Sequence, residues 1–285
     1  MAPDRLAPAG VLGPRSARVR RARRLTRRSV REESGRFLVE GPQGLRAAVR
    51  RPDLLEEVYV TATASDRYAD LLAEAASAGA AVVAVDDQAL AAMAETVSPQ
   101  GVVAVCRTVT VSLPEAMAGA PRLVAVLAEV QDPGNAGTVI RCADAAGADA
   151  VVLTAGSVDP HNGKAVRASA GSVFHLPVVA GPSVREAVQA CRGAGLSVLA
   201  ADGRADLDLD TAELAGILDV PTAWLFGNEA HGLADAATAL ADHAVRVPIH
   251  GAAESLNLAA ATAVCLYASA RRHRRGPQVE PDGQG

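Results

Sequence analysis

Residues 123–156 read LVAVLAEVQDPGNAGTVIRCADAAGADAVVLTAG, and this stretch decides the fold. Its first eight residues form an almost unbroken apolar run, the signature of a strand buried on both faces of a parallel sheet. The turn-forming QDPGNAG (131–137) predicts a loop, TVIRCADAAG (138–147) a helix, and AVVLTAG (150–156) a second strand. The alternation continues downstream. DPHNGKAVRASAG predicts a loop and helix before the strand-like FHLPVV (174–179), and SVREAVQACRGAG predicts another helix. LSVLAAD (196–202), TAWLFGNEA (222–230) and HAVRVPI (243–249) read as strands, and an alanine-rich helix runs through HGAAESLNLAAATAVCLYASARR (250–272). Repeated strand-loop-helix units predict a parallel sheet covered on both faces, without any visible internal repeat.

Upstream, FLVE (37–40), EEVYVTA (56–62), AAVVAV (80–85) and GVVAVC (101–106) read as strands. QGLRAAVR, DRYADLLAEAASAG and DDQALAAMAE read as the helices between them, and the whole predicts a small α/β sandwich. Residues 108–121, TVTVSLPEAMAGAP, bring two prolines and a loss of pattern, which marks a linker. The expected class is therefore α/β, with a larger parallel-sheet domain preceded by a smaller α/β domain. The expected boundaries are a basic extension at 1–34, domains at 35–107 and 122–272 around the 108–121 linker, and a polar tail at 273–285.

The 285 residues hold 49% hydrophobic and 21% charged side chains, enough for two ordinary cores. Three Phe, three Tyr and one Trp leave no aromatic platforms for stacking single-stranded bases. No apolar run approaches the ~20 residues that cross a bilayer, and the arginine-rich start lacks the apolar centre of a secretory signal. A cytoplasmic protein is expected. Cys106, Cys142, Cys191 and Cys265 form no C-x-x-C pair, and the six histidines show no ligand spacing, so no metal is expected. The net charge of −4 is uneven: residues 1–51 hold 14 Arg against 4 acidic residues, and Lys164 is the single lysine. Guanidinium forks suit phosphate, so residues 15–31 read as a nucleic-acid arm. A solvated leader accounts for the same composition.

In an open α/β sheet, ligands collect at the carboxyl ends of the strands. Four segments have that placement. QDPGNAGTVIRCADAAGA puts Asn135 and Arg141 on either side of a turn, with Arg141 about one turn into the helix. HNGKAVRASAGSVFHLP puts Lys164, Arg167 and Ser169 near a helix start, where an anion can bind. LFGNEAHGL presents Glu229 after a strand, and VPIHGAAESLNLAAATAVCLY presents Ser255 and Asn257 before a helix. Each segment alone is also explained as a capped helix or a solvated loop. No G-x-G-x-x-G or G-x-x-x-x-G-K-[ST] is present, which argues against the usual NAD and ATP sites.

Taken in order, NAGTVIRCADAAGAD, FGNEAHGL and VPIHGAAESLNLAAATAVCLY resemble the three motifs of the SpoU (TrmH-like) family of the SPOUT superfamily, S-adenosylmethionine-dependent RNA ribose 2′-O-methyltransferases. The likeness covers roughly residues 122–270, and NGKAVRASAGSVFHLP fits the pattern between the first two motifs. GRFLVEGPQGLRAAV is similar to the substrate-binding domain that many members carry in front. The resemblance implies a deep trefoil knot in the C-terminal part, a homodimer formed through it, and an RNA substrate, ribosomal first and transfer RNA second. It implies catalytic-site roles for Asn135, Arg141, Glu229, Ser255 and Asn257, and cofactor positions at Ala200, Gly227, Ile249, Leu256 and Leu258. Arg15, Arg23, Arg24, Lys164, Arg167 and Ser169 are the expected RNA contacts. Ala259 departs from the hydroxyl residue that many relatives have there. A non-enzymatic RNA-binding protein of the same fold is the alternative, and a phosphate-binding α/β hydrolase or transferase is a third reading.

Overall fold

The computed structural model describes residues 10–275, so residues 1–9 of the expected extension and 276–285 of the expected tail lie outside the described residues. The chain divides into two compact units. The first comprises the chain up to Val109 together with Asp159–His175; the second comprises Thr110–Val158 and the chain from Leu176.

In the first unit, strands β1 (Arg36–Glu40), β2 (Leu55–Val60), β3 (Ala81–Ala84) and β4 (Val102–Arg107) form a sheet of order β1-β4-β2-β3. β4 runs antiparallel to both neighbours and β2 parallel to β3. The basic stretch is part of this unit rather than an arm outside it. It folds as helix Ala17–Arg23, a short 3₁₀ turn and helix Arg28–Ser34, and Val19, Ala22 and Leu25 are buried in the core beside Tyr59 and Val105. Helical spacing puts Val19 and Ala22 on one side and leaves Arg20 and Arg23 exposed, and Arg15 and Arg24 beyond the helix ends are exposed too. Arg18 and Arg21 both meet Glu57 at 3.3 Å, and Arg36 and Arg107 share Glu56.

Residues 159–175, which the motif order assigns to the larger domain, pack in the first unit. Arg31 is buried and meets Asp159 at 2.7 Å while donating to the carbonyls of Leu25 and Thr26. Burial opposes ionisation of Asp159, but hydrogen bonds from His161 and the nearby Arg31 hold its carboxyl well below the usual range. His161 accepts the Val109 N–H at 3.0 Å through Nε2, and its ring lies 4.7 Å from that of Phe37. Arg167 pairs with Glu40 and Glu95, and Ser169 is fully buried with its hydroxyl on the Val166 carbonyl.

The second unit contains six strands: β5 (Leu123–Leu127), β6 (Ala150–Leu153), β7 (Val178–Ala180), β8 (Ser197–Ala201), β9 (Thr222–Phe226) and β10 (His243–Val245). Their order is β10-β8-β9-β5-β6-β7, and every pair is parallel, as the apolar runs predict. From Thr110 onward the expected linker belongs here. Ser112 caps helix Leu113–Met117, and Ala116 joins the core. The terminal helix Leu258–Arg275 packs on the sheet through Ser269, whose hydroxyl accepts the buried Trp224 indole N–H at 2.9 Å. Among the described residues no helix is long and apolar enough to cross a membrane.

Cys106, Cys191 and Cys265 are buried and Cys142 is half-buried, all as free thiols. Burial pushes Cys191 and Cys265 up to about 12. The native protein should therefore yield no more than one thiol, Cys142, to Ellman's reagent over minutes, against four after unfolding in guanidinium. Ser269→Ala strands the Trp224 N–H and should cost about 1–3 kcal/mol in urea unfolding.

Candidate active site

The site forms in the second unit where β5 and β9 end side by side. Their parallel register pairs Leu127 with Phe226, so the loops after both strands leave the same edge of the sheet. The loop after β5 is shorter than the turn residues suggest. Helix Pro133–Ala146 begins with proline at its first position, and Asp132 caps it by accepting the Asn135 N–H at 2.9 Å. Asn135 therefore sits in the first helical turn, and Arg141 lies six residues further, about 9 Å along the axis, in the third turn instead of the first. Arg141 is exposed.

The loop after β9 is built around two glycines. A Cβ on Gly227 would lie 2.2–2.3 Å from the backbone of Gly232 and Leu233, and Gly232 itself has φ +68°. Asn228 and Gly232 exchange both backbone hydrogen bonds, and the Asn228 side chain accepts the Ala230 N–H. The same side chain donates at 2.8 Å to the carbonyl of Glu129. Glu129 holds φ +55°, an uncommon conformation for a side chain of that size, and this turns its carbonyl toward Asn228.

Glu229 locks the two loops. Its carboxylate accepts the N–H groups of Gln131 and Asp132 at 3.2 and 3.1 Å and the Asn135 amide at 3.2 Å. Burial works to raise its pKa, but these donors outweigh it and hold the carboxyl below the usual range. The charge also faces the N-terminal end of a helix, where a carboxylate is favoured. Because the folded pKa is depressed, this contribution is present above the unfolded value and is lost as pH falls through the folded one. Asn257 completes the chain of contacts. Its amide donates to the Asn135 side-chain oxygen at 3.3 Å, while its own oxygen accepts the Ala259 N–H at 2.9 Å and caps the terminal helix. Asn257 thus serves as the helix cap and also touches Asn135.

A cavity of about 590 Å³ opens beside this cluster. Gly227, Glu229, Ile249, Ser255, Leu256 and Leu258 line it. Ala200 does not: it is fully buried in the sheet core, and the next residues, Ala201, Asp202 and Gly203, line the cavity instead. Residues 247–256 make no backbone hydrogen bonds among the described residues, leaving their N–H and C=O groups open to a ligand. Sequence reasoning passed over Asp202, Gly203, Asn228 and Gln131. Asp202 carries a usable signal, since it ends the expected strand 196–202 at its carboxyl end. Ser169, expected to touch RNA, is buried, and Arg167 is neutralised by two carboxylates, both within the first unit. Among the described residues no cluster of His, Cys, Asp or Glu could hold a metal.

Gly227→Ala should force the β9 loop open and destabilise the protein by about 1–3 kcal/mol, read as a lower urea midpoint at unchanged slope.

The family model described as "SpoU rRNA Methylase family" matches residues 122–267, and that of the "MRM3-like substrate binding domain" matches residues 16–104. The chain is 33% identical to the 23S rRNA (guanosine(2553)-2′-O)-methyltransferase of Bacillus subtilis, over 92% of this chain and 97% of that protein. The crystal structure of the SpoU methyltransferase AviRb from Streptomyces viridochromogenes in complex with AdoMet is 30% identical at a TM-score of 0.77, covering 92% of this chain and 100% of that one. The AdoMet-bound rRNA methyltransferase from Sinorhizobium meliloti is 28% identical at 0.76, over 93% and 98% of the two chains. With a family model across half its length and a relative aligned almost end to end, the chain belongs to the SpoU rRNA methylase family.

Proposed function

We propose that this protein methylates a ribose 2′-hydroxyl of ribosomal RNA with S-adenosylmethionine as donor, acting in the cytoplasm as a homodimer with the knotted C-terminal part of its family. The observation that carries the reading is the Glu229–Asn135–Asn257 hydrogen-bond chain, of which Glu229 lines the cavity. The cavity has the volume of a site for a ligand of that size. Open backbone groups at 247–256 and the partly exposed apolar side chains of Ile249 and Leu256 suit an adenosyl group.

S-adenosylmethionine, when bound, supplies a methyl already activated by a sulfonium. The residues of this chain then have to hold the hydroxyl in line and let its proton go. Asn135 has both ends of its amide fixed, which leaves one N–H to orient the ribose. Glu229 already accepts three N–H groups, so it positions Asn135 instead of taking the proton. Arg141 is exposed, and its guanidinium fork suits the target phosphate. Ser255 stands on the cavity wall facing the same space. The exposed Val264 and Tyr267 on the terminal helix support pairing of two copies there. The exposed arginines of the first unit, Arg15, Arg20, Arg23 and Arg24, support RNA binding by that unit.

Mapping 2′-O-methyl groups in ribosomal RNA from cells with and without the protein tests the reading. One ribosomal site should disappear; a site missing from transfer RNA instead would move the substrate. Arg141→Ala should lower methyl transfer by at least about 100-fold while S-adenosylmethionine affinity stays within a few fold. Deleting residues 1–31 would remove the buried Val19, Ala22 and Leu25, so charge is better tested by Arg20, Arg23 and Arg24→Gln together. That variant should flatten the salt dependence of RNA binding by about 0.7–0.9 in log–log slope for each phosphate that it no longer neutralises.

A further inference from the structure

Four charged side chains line the cavity: Asp202, Glu229, Arg246 and Glu254. Three are already committed to protein partners. Asp202 pairs with Arg204 at 2.9 Å. Glu229 takes the three N–H groups of the catalytic cluster. Arg246 donates to the carbonyls of Ala205 and Asp206 and reaches Asp208 at 3.5 Å. Glu254 is exposed and makes no hydrogen bond or ion pair among the described residues. Its segment, 247–256, makes no backbone hydrogen bonds among the described residues either. It directly precedes Ser255 and stands three residues before Asn257, whose amide touches Asn135. Glu254 is thus a carboxyl side chain without a partner among the described residues, on the cavity wall next to Ser255.

We infer that Glu254 is the residue by which the cavity selects the sulfonium donor over the thioether product. The inference rests on the cofactor reading above. S-adenosylmethionine and S-adenosylhomocysteine share adenosine, ammonium and carboxylate, and differ by a methyl and one positive charge, both at sulfur. Hydrogen bonds from the open backbone at 247–256 treat the two alike. A carboxylate placed near sulfur distinguishes them by charge, and in a cavity screened less than bulk water it is worth about five- to twenty-fold in affinity. When the methyl has moved to the ribose oxygen, the electrons of the broken carbon–sulfur bond stay on sulfur and its charge is gone. The attraction to Glu254 goes with it, which favours departure of the product.

Titration calorimetry of the full chain with each of the two compounds tests this at about 50 and 300 mM salt. The wild type should bind S-adenosylmethionine more tightly, with the preference shrinking at high salt. Glu254→Gln should lose about five- to twenty-fold for S-adenosylmethionine and stay within about two-fold for S-adenosylhomocysteine, while Glu254→Asp should keep most of the preference. Matching thermal unfolding curves would confirm that the variants fold. An equal loss for both compounds would assign Glu254 to the shared ammonium and overturn the inference, as would no loss for either. A wild type that binds neither compound would instead overturn the cofactor reading itself.

Discussion

The carboxylate of Glu229 is the contact on which the site depends, because it joins two loops that share no sequence neighbourhood. It reaches the N–H groups of Gln131 and Asp132 only because β9 lies beside β5 in parallel register. A slip of one residue would turn the side chains of β9 over and carry the loop away from the helix start. The Asn228 contact to the Glu129 carbonyl makes the same connection from the opposite side. The uncommon backbone conformation of Glu129 is the local strain that this double connection sustains.

The site has a rigid half and an open half. On the rigid side Asn135 and Asn257 have fixed orientations, since each amide is held by another side chain or a helix end. Groups arranged in advance cost little reorganisation when a substrate arrives. On the open side, residues 247–256 have no backbone partners among the described residues, and Ile249, Glu254 and Leu256 line the cavity. Hydrogen-bonding capacity left unused beside apolar side chains is what a large, mixed ligand can satisfy, and it explains why a segment without regular structure lines the cavity.

In the first unit, charge divides by partner. Arg31 is buried against Asp159, and Arg167 is held by Glu40 and Glu95. Arg15, Arg23 and Arg24 remain on the surface. By composition alone these arginines are indistinguishable. Arg31 falls on the inward side of its short helix, and Asp159 comes from far along the chain, so neither its burial nor its partner follows from local spacing. The same holds for residues 159–175: their motif-like sequence points to the methyltransferase domain, while their buried contacts lie in the first unit.

The parallel sheet, the α/β class and the three motif loops were legible in the sequence, because long apolar runs and turn residues report how many faces of an element are covered. The Asn135–Glu229–Asn257 grouping was legible only through family resemblance, since each residue alone is an ordinary cap or loop residue. Tertiary structure decided the rest: the early start of the helix at Pro133, the burial of Ala200 and Ser169, and the inclusion of the basic helices in a core. The physical reason is that periodicity records whether a side chain is shielded from water but carries no information about which distant group does the shielding. Pairing energies, and with them the identity of each partner, arise only when strands far apart in sequence take their places in a sheet.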